Sequence, residues 1–176
     1  MSCNSPEFSV TAGAIDRHMQ ERHRQALNTF LRGYHTQPER VLADCLMPAE
    51  SSGLVVLADI PFVSLCEHHL LPFFGKASVA FLPAQNVVGL GKLVSTVEVL
   101  AQRLQFQERL TESIADVIQR VLEPQGTFVM LKAQHVCMLS DGASSLPGKT
   151  VTQATRGIFT LEAALRAEVV QQINEA

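Results

Sequence analysis

Between Ile15 and Leu31 apolar residues return at helical spacing, through Met19, Ala26, Leu27 and Phe30, while Arg22, Arg24 and Gln25 fill the other faces. That periodicity predicts an amphipathic helix ending at Gly33. Proline's fixed φ suits a first helical turn, so Thr36-Gln37-Pro38 predicts a second, short helix through Arg40, Val41 and Leu42, with Pro48 as its stop. From Gly53 the texture becomes apolar and β-branched, through Val55, Val56, Ile60 and Val63, which predicts a strand running into Cys66. Pro72 marks the turn that follows. Residues 74–82 predict a second strand, and Pro83 to Asn86 read as a connection before Val87 and Val88. An antiparallel pair is the simplest arrangement of these two strands.

Helical spacing returns twice more, first through Leu93, Val97, Leu100, Ala101 and Leu104, then through Leu110, Ile114, Val117, Ile118 and Val121, with Pro124 and Gly126 closing the second run. Residues 127–139 predict a strand and residues 149–159 another, separated by a loop of small residues from Ser140 to Gly148. A closing helix begins near Leu161. Strands grouped in pairs between helices predict an α+β fold with an antiparallel sheet rather than a parallel doubly wound one. A length of 176 residues suits one core, so one domain is expected over 1–176, with an N-terminal segment and helix (1–35), a catalytic core (36–160) and a C-terminal helix (161–176).

Composition narrows the function classes. The chain is 47% hydrophobic and 18% charged, the balance of a globular enzyme or oligomer subunit rather than a disordered chain. A formal charge of -3 argues against a polybasic face, so nucleic acid is not the expected partner. No apolar run approaches the ~18 residues needed to span a bilayer, and the first residues lack a leader pattern, so a cytoplasmic protein without a membrane partner is expected. Four cysteines, Cys3, Cys45, Cys66 and Cys137, are too few for a disulfide framework at this length and would stay thiols in a reducing compartment.

Two of those thiols stand beside imidazoles, in Cys66-Glu67-His68-His69 and in His135-Val136-Cys137. If the second segment is extended, His135 and Cys137 share a face while Val136 points away. Two thiols and three imidazoles exceed what a three-ligand catalytic zinc site needs. With two cysteines and one histidine on the metal, two histidines would remain for proton transfer near neutral pH. Either segment alone reads more simply as buried core residues.

The stretch Ser64-Leu65-Cys66-Glu67-His68-His69-Leu70-Leu71-Pro72-Phe73-Phe74-Gly75-Lys76 closely resembles the zinc-site segment of the GTP cyclohydrolase I family. The likeness continues through Gly89-Leu90-Gly91-Lys92, Gln105-Phe106-Gln107-Glu108-Arg109-Leu110-Thr111, Ala133 to Met138, and 150–159, covering roughly residues 36 to 160. The resemblance implies the tunnelling fold, in which subunit sheets join into a barrel and rings stack, commonly as a homo-decamer with sites between subunits. By position it implies zinc ligands at Cys66, His69 and Cys137, catalytic histidines at His68 and His135, and contacts to the purine edge at Gln107 and Glu108. It also implies a reaction in which zinc activates water to attack C8 of guanine, a histidine protonates N7, and formate leaves after ring opening.

The resemblance is weakest where a triphosphate would bind. Lys92 and Arg40 match family cations, but Ser95, Asp141 and Ala43 occupy positions where the family carries arginine or lysine. Exchanging an Arg-phosphate contact for a carboxylate removes a charge-assisted hydrogen bond and adds repulsion. Lys149, Arg156 or a neighbouring subunit offer replacement charge. The sequence reading is therefore a zinc-dependent hydrolase opening a purine or related nitrogen heterocycle with little or no phosphate. The alternatives are a GTP cyclohydrolase I making 7,8-dihydroneopterin triphosphate and formate, and a zinc-stabilised scaffold without catalysis.

Overall fold

The computed structural model describes residues 17–139 and 148–176. In chain order these form α1 (Arg17–Leu31), a 3-10 turn (Arg32–His35), α2 (Pro38–Ala43), β1 (Leu46–Pro48), β2 (Val55–Cys66), β3 (Pro72–Leu82) and β4 (Asn86–Val88). Then come α3 (Leu90–Ala101), β5 (Leu104–Gln105), α4 (Gln107–Leu122), β6 (Gly126–His135), a second 3-10 turn (Val136–Met138), β7 (Thr150–Gly157), α5 (Ile158–Leu161) and α6 (Ala163–Glu175). Ile15 and the small-residue loop, Asp141 included, lie outside the described residues.

The main sheet has the order β5-β2-β3-β6-β7, antiparallel except for the short parallel pairing of β2 with β5. Its two faces bury different cores. On one, Phe73, Ala77, Val79, Phe81, Val129 and Leu131 pack against Leu93, Val97 and Leu100 of α3 and Leu110, Ile114 and Ile118 of α4. On the other, Ala80, Phe128 and Met130 meet Phe159, Val169 and Ile173, so α5 and α6 cover what the paired helices do not. Being covered on both sides explains why β6 is buried from Gly126 to Leu131 and reads as a continuous apolar run from Phe128 to Leu131.

Five element boundaries differ from the sequence reading. The first helix stops at Leu31, with Gly33 inside the 3-10 turn, and Pro48 ends the small strand β1, paired with β4, because α2 has already closed at Ala43. Leu104 is not the last turn of α3. The helix ends at Ala101, and Leu104 and Gln105 extend to pair with Leu65 and Cys66. The strand through Gln134 ends at His135 rather than Leu139. β7 stops at Gly157, whose φ of 59° turns the chain into α5, where a side chain would meet Gln125 O at 2.2 Å. No helix among the described residues is long and apolar enough to cross a membrane.

Candidate metal and catalytic site

β2 delivers Cys66, 8% exposed, to the mouth of the β2–β3 hairpin. Two backbone bonds close the turn there: Cys66 N–H donates to Leu71 O (2.9 Å) and Leu70 N–H to Cys66 O (2.8 Å). Glu67, His68 and His69 are left exposed on it. Leu70 takes φ 54°, a left-handed conformation that costs a non-glycine residue on the order of 1 kcal/mol or more.

The second half arrives from β6. Sequence alternation along a strand was to bring His135 and Cys137 to one face; instead the strand stops at His135 and the 3-10 turn carries Cys137. The metal-binding atoms of Cys66, His69 and Cys137 lie within 4.8 Å of one another. Cys66 Sγ is 3.7 Å from His69 Nδ1. Zinc bonds of about 2.3 Å to sulfur and 2.05 Å to nitrogen at a tetrahedral angle place those atoms about 3.6 Å apart, so the donor set fits the ion in both chemistry and spacing. Burial, and then the neighbouring Cys66, push the Cys137 thiol above its ordinary range. A bound cation reverses that balance in favour of thiolate.

His135 stands where β6, β3 and α4 meet. Its ring stacks on Phe73, its cross-strand partner, with centroids 4.8 Å apart and planes at 4°. Gln107, the first residue of α4 and 1% exposed, approaches it with Oε1 2.8 Å from His135 Nε2. The amide cannot be reversed, because Gln107 Nε2 already donates to Leu131 O (3.2 Å), Thr150 O (3.1 Å) and Thr152 Oγ1 (3.0 Å). His135 Nε2 is therefore the donor, and in the neutral ring Nδ1 carries the lone pair. Burial holds this imidazole below its usual pKa, with the Glu108 carboxylate pulling the other way. Glu108 itself is exposed in the first turn of α4.

Of the cations weighed for a phosphate site, Lys92 and Arg156 are paired with carboxylates. Lys92, in the first turn of α3, pairs with Asp44 at the end of α2; that hydrogen bond and the opposite charge raise the lysine pKa and lower the aspartate's. Arg40 is exposed on α2, and Ser95 is half-buried on α3. Arg156 is committed to Glu112 and Asp116 of α4. Lys149 shares a cleft with Lys76, Lys132 and Asp59, whose neighbouring residues Ile173 and Asn174 place it on the α6 side of the sheet.

Sequence reading missed four residues that brace the site. Arg109 ties Gln105 to Glu67, and Phe106 sits between Arg109 and His68. The signal was present in the four-residue step from Gln105 to Arg109, which puts both on one side of a turn.

Comparison with known proteins agrees with the motifs. The GTP cyclohydrolase I family profile matches residues 14–174. GTP cyclohydrolase 1 of Chlorobium chlorochromatii is 43% identical over 155 residues, covering 88% of this chain and 70% of the relative. That of Wolinella succinogenes is 40% identical over 164 residues, covering 87% and 88%. The one from Geobacillus kaustophilus reaches 50% over 125 residues, covering 70% and 66%. A solved structure of the archaeosine synthase QueF-Like in its apo form superposes with a TM-score of 0.50 at 19% identity, over 61% of this chain and 97% of that one, a likeness of fold that identifies the tunnelling fold. With the family profile matching residues 14–174 and relatives 40 to 50% identical over 70% or more of its length, the chain belongs to the GTP cyclohydrolase I family.

Proposed function

We propose that this chain is a single-domain, zinc-dependent cyclohydrolase that converts GTP and water to 7,8-dihydroneopterin triphosphate and formate. The observation that carries the reading is the convergence of Cys66, His69 and Cys137 within 4.8 Å, on the same two turns that present His68 and His135. Those three side chains would hold the ion, which when bound supplies Lewis acidity and lowers the pKa of water toward neutrality.

The chain's other residues divide the proton work. Opening the imidazole ring of guanine at C8 needs a proton given to N7 and another taken from water. His68 and His135 are the imidazoles at hand, and Gln107 fixes the tautomer of His135 by accepting from Nε2. With its amide spent inside the fold, Gln107 serves the purine through His135, while Glu108 offers a carboxylate to guanine N1–H and N2–H. His68, His69 and Glu108 are all exposed, which leaves room for a second copy to complete the pocket in a cytoplasmic homo-oligomer.

The weakly phosphorylated substrate expected from the missing arginines gives way to GTP for two reasons. Relatives 40 to 43% identical over 87 to 88% of this chain are named GTP cyclohydrolase 1. In addition, the Lys92–Asp44 pair is an exposed one, weak enough that a polyphosphate competes for the lysine, with Arg40 a second cation. The smaller-substrate reading keeps one observation in its favour, the engagement of Arg156 by two carboxylates. Formate release from GTP and from guanosine separates the readings. Zinc-loaded protein is expected to show kcat/KM for GTP at least roughly a hundredfold above that for guanosine, since a few charge-assisted contacts supply that much. Equal values would favour the unphosphorylated substrate.

Gln107→Ala tests the buried amide. It strips a donor from Leu131 O, Thr150 O and Thr152 Oγ1 and frees His135, so a loss of about 2 to 3 kcal/mol in denaturant unfolding is expected. A drop in kcat of about ten- to hundredfold should accompany it, as for groups that orient a working histidine.

A further inference from the structure

We infer that Arg109, acting with Glu67 and Phe106, is a positioning residue that sets the ring of His68 relative to the start of α4; the inference deepens the function proposed above and rests on it for its kinetic arm. The guanidinium is held on the β5 side by two bonds, Nε to Gln105 Oε1 (3.0 Å) and Nη2 to Leu104 O (2.9 Å). The same Nη2 reaches across to Glu67, the residue between Cys66 and His68. The Arg109 guanidinium carbon lies 5.0 Å from the centroid of the Phe106 ring, and Phe106 meets the His68 ring at 4.8 Å and 77°. Backbone contacts run in parallel: Glu67 N–H donates to Gln105 O (3.1 Å), and Cys66 pairs with Gln105 in the sheet.

This connects two segments that the reaction needs in register. The hairpin turn carries His68 and His69, and α4 opens with Gln107, which holds His135, and Glu108. An arginine suits the task because its planar fork bonds in several directions at once, whereas a lysine is a single point charge. The side chains of Arg109 and Glu67 are 46% and 41% exposed, so their ion pair contributes little to global stability. Its effect falls on geometry, where small displacements of a catalytic group are expensive.

The test compares Arg109→Ala, Arg109→Lys and Phe106→Leu in the full chain, zinc-loaded, with GTP as substrate and with histidine labelled at ring carbon ε1 for NMR. Arg109→Ala is expected to lower kcat about ten- to hundredfold with KM changed less than threefold, zinc at one per chain, and the His68 resonance displaced. Phe106→Leu should displace the same resonance by removing the neighbouring ring, and Arg109→Lys should recover only part of the lost kcat. A His68 resonance that stays in place in Arg109→Ala, or a loss of activity that tracks loss of zinc, overturns the inference. Should wild-type protein fail to turn over GTP, the proposed function falls, while the resonance still decides whether Arg109 places His68.

Discussion

Cys137→Ser is expected to empty the metal centre and lower formate release from GTP by about a thousandfold while leaving the fold intact. Serine keeps the size and the 3-10 turn, but its hydroxyl does not ionise near neutral pH and so withdraws one of three donors. Spread over its ligands, the affinity of a protein zinc site amounts to roughly 3 kcal/mol each, or about two decades in zinc affinity for the one removed. The residual ion would also sit in a changed field, with Cys66 the single remaining thiol, which accounts for the further loss in turnover. Because burial and Cys66 already push the Cys137 thiol upward, toward its neutral form, replacing it by a neutral hydroxyl disturbs the metal-free fold little. Zinc content by emission spectroscopy, thermal melting and steady-state formate release check the three parts. Stoichiometric zinc with activity within tenfold of wild type would remove Cys137 from the ligand set.

How much of this was legible beforehand follows from the range of the forces involved. Helices α3 and α4 were read from periodicity because each buries one stripe against the core, and strands β2, β3 and β6 from apolar, β-branched texture, because β3 and β6 bury both faces. The end of β6 was not. Whether residues 136–138 continue as strand or tighten into a turn depends on what receives Cys137, and that is set by Cys66 and His69, distant in sequence. Leu104 was placed in a helix for a related reason: its apolar spacing fits α3, and only the parallel pairing with Leu65 shows why the chain extends there.

The site divides along the same line. The convergence of Cys66, His69 and Cys137 was legible because thiol and imidazole are rare enough together that two such segments mark each other. Gln107 was read as a contact to the purine edge, or without the family as a solvated helix start; its burial and its four partners follow from α4 packing on β6 and β7, which no local pattern announces. For the cations, sequence counted the charges but could not see that Lys92 faces Asp44 or that Arg156 faces Glu112 and Asp116.

Gly75→Ala is expected to be among the most damaging small substitutions in the sheet. A Cβ at Gly75 would stand 2.0 Å from Lys132 O and 2.7 Å from Ala133 Cα, both backbone atoms of β6, so no side chain can swing aside to admit it. The strands must part at the Gly75–Ala133 pair, the third in a ladder running from Phe73–His135 to Leu82–Gly126. Overpacking that moves backbone destabilises by about 3 kcal/mol, which for a chain of this size lowers the melting temperature by roughly 10 °C. Two pairs further along the ladder, Phe73 stacks on His135, so the displacement reaches the site and kcat should fall even in the folded fraction. Gly91→Ala is the matched control. Nothing lies within 4 Å of its Cβ position, it is exposed in the first turn of α3, and alanine there is expected to stabilise by about 0.5 kcal/mol. Differential scanning calorimetry of both variants decides the matter: a Gly75→Ala melt within 2 to 3 °C of wild type, about the shift that 1 kcal/mol produces, would mean that β3 and β6 are not held this close.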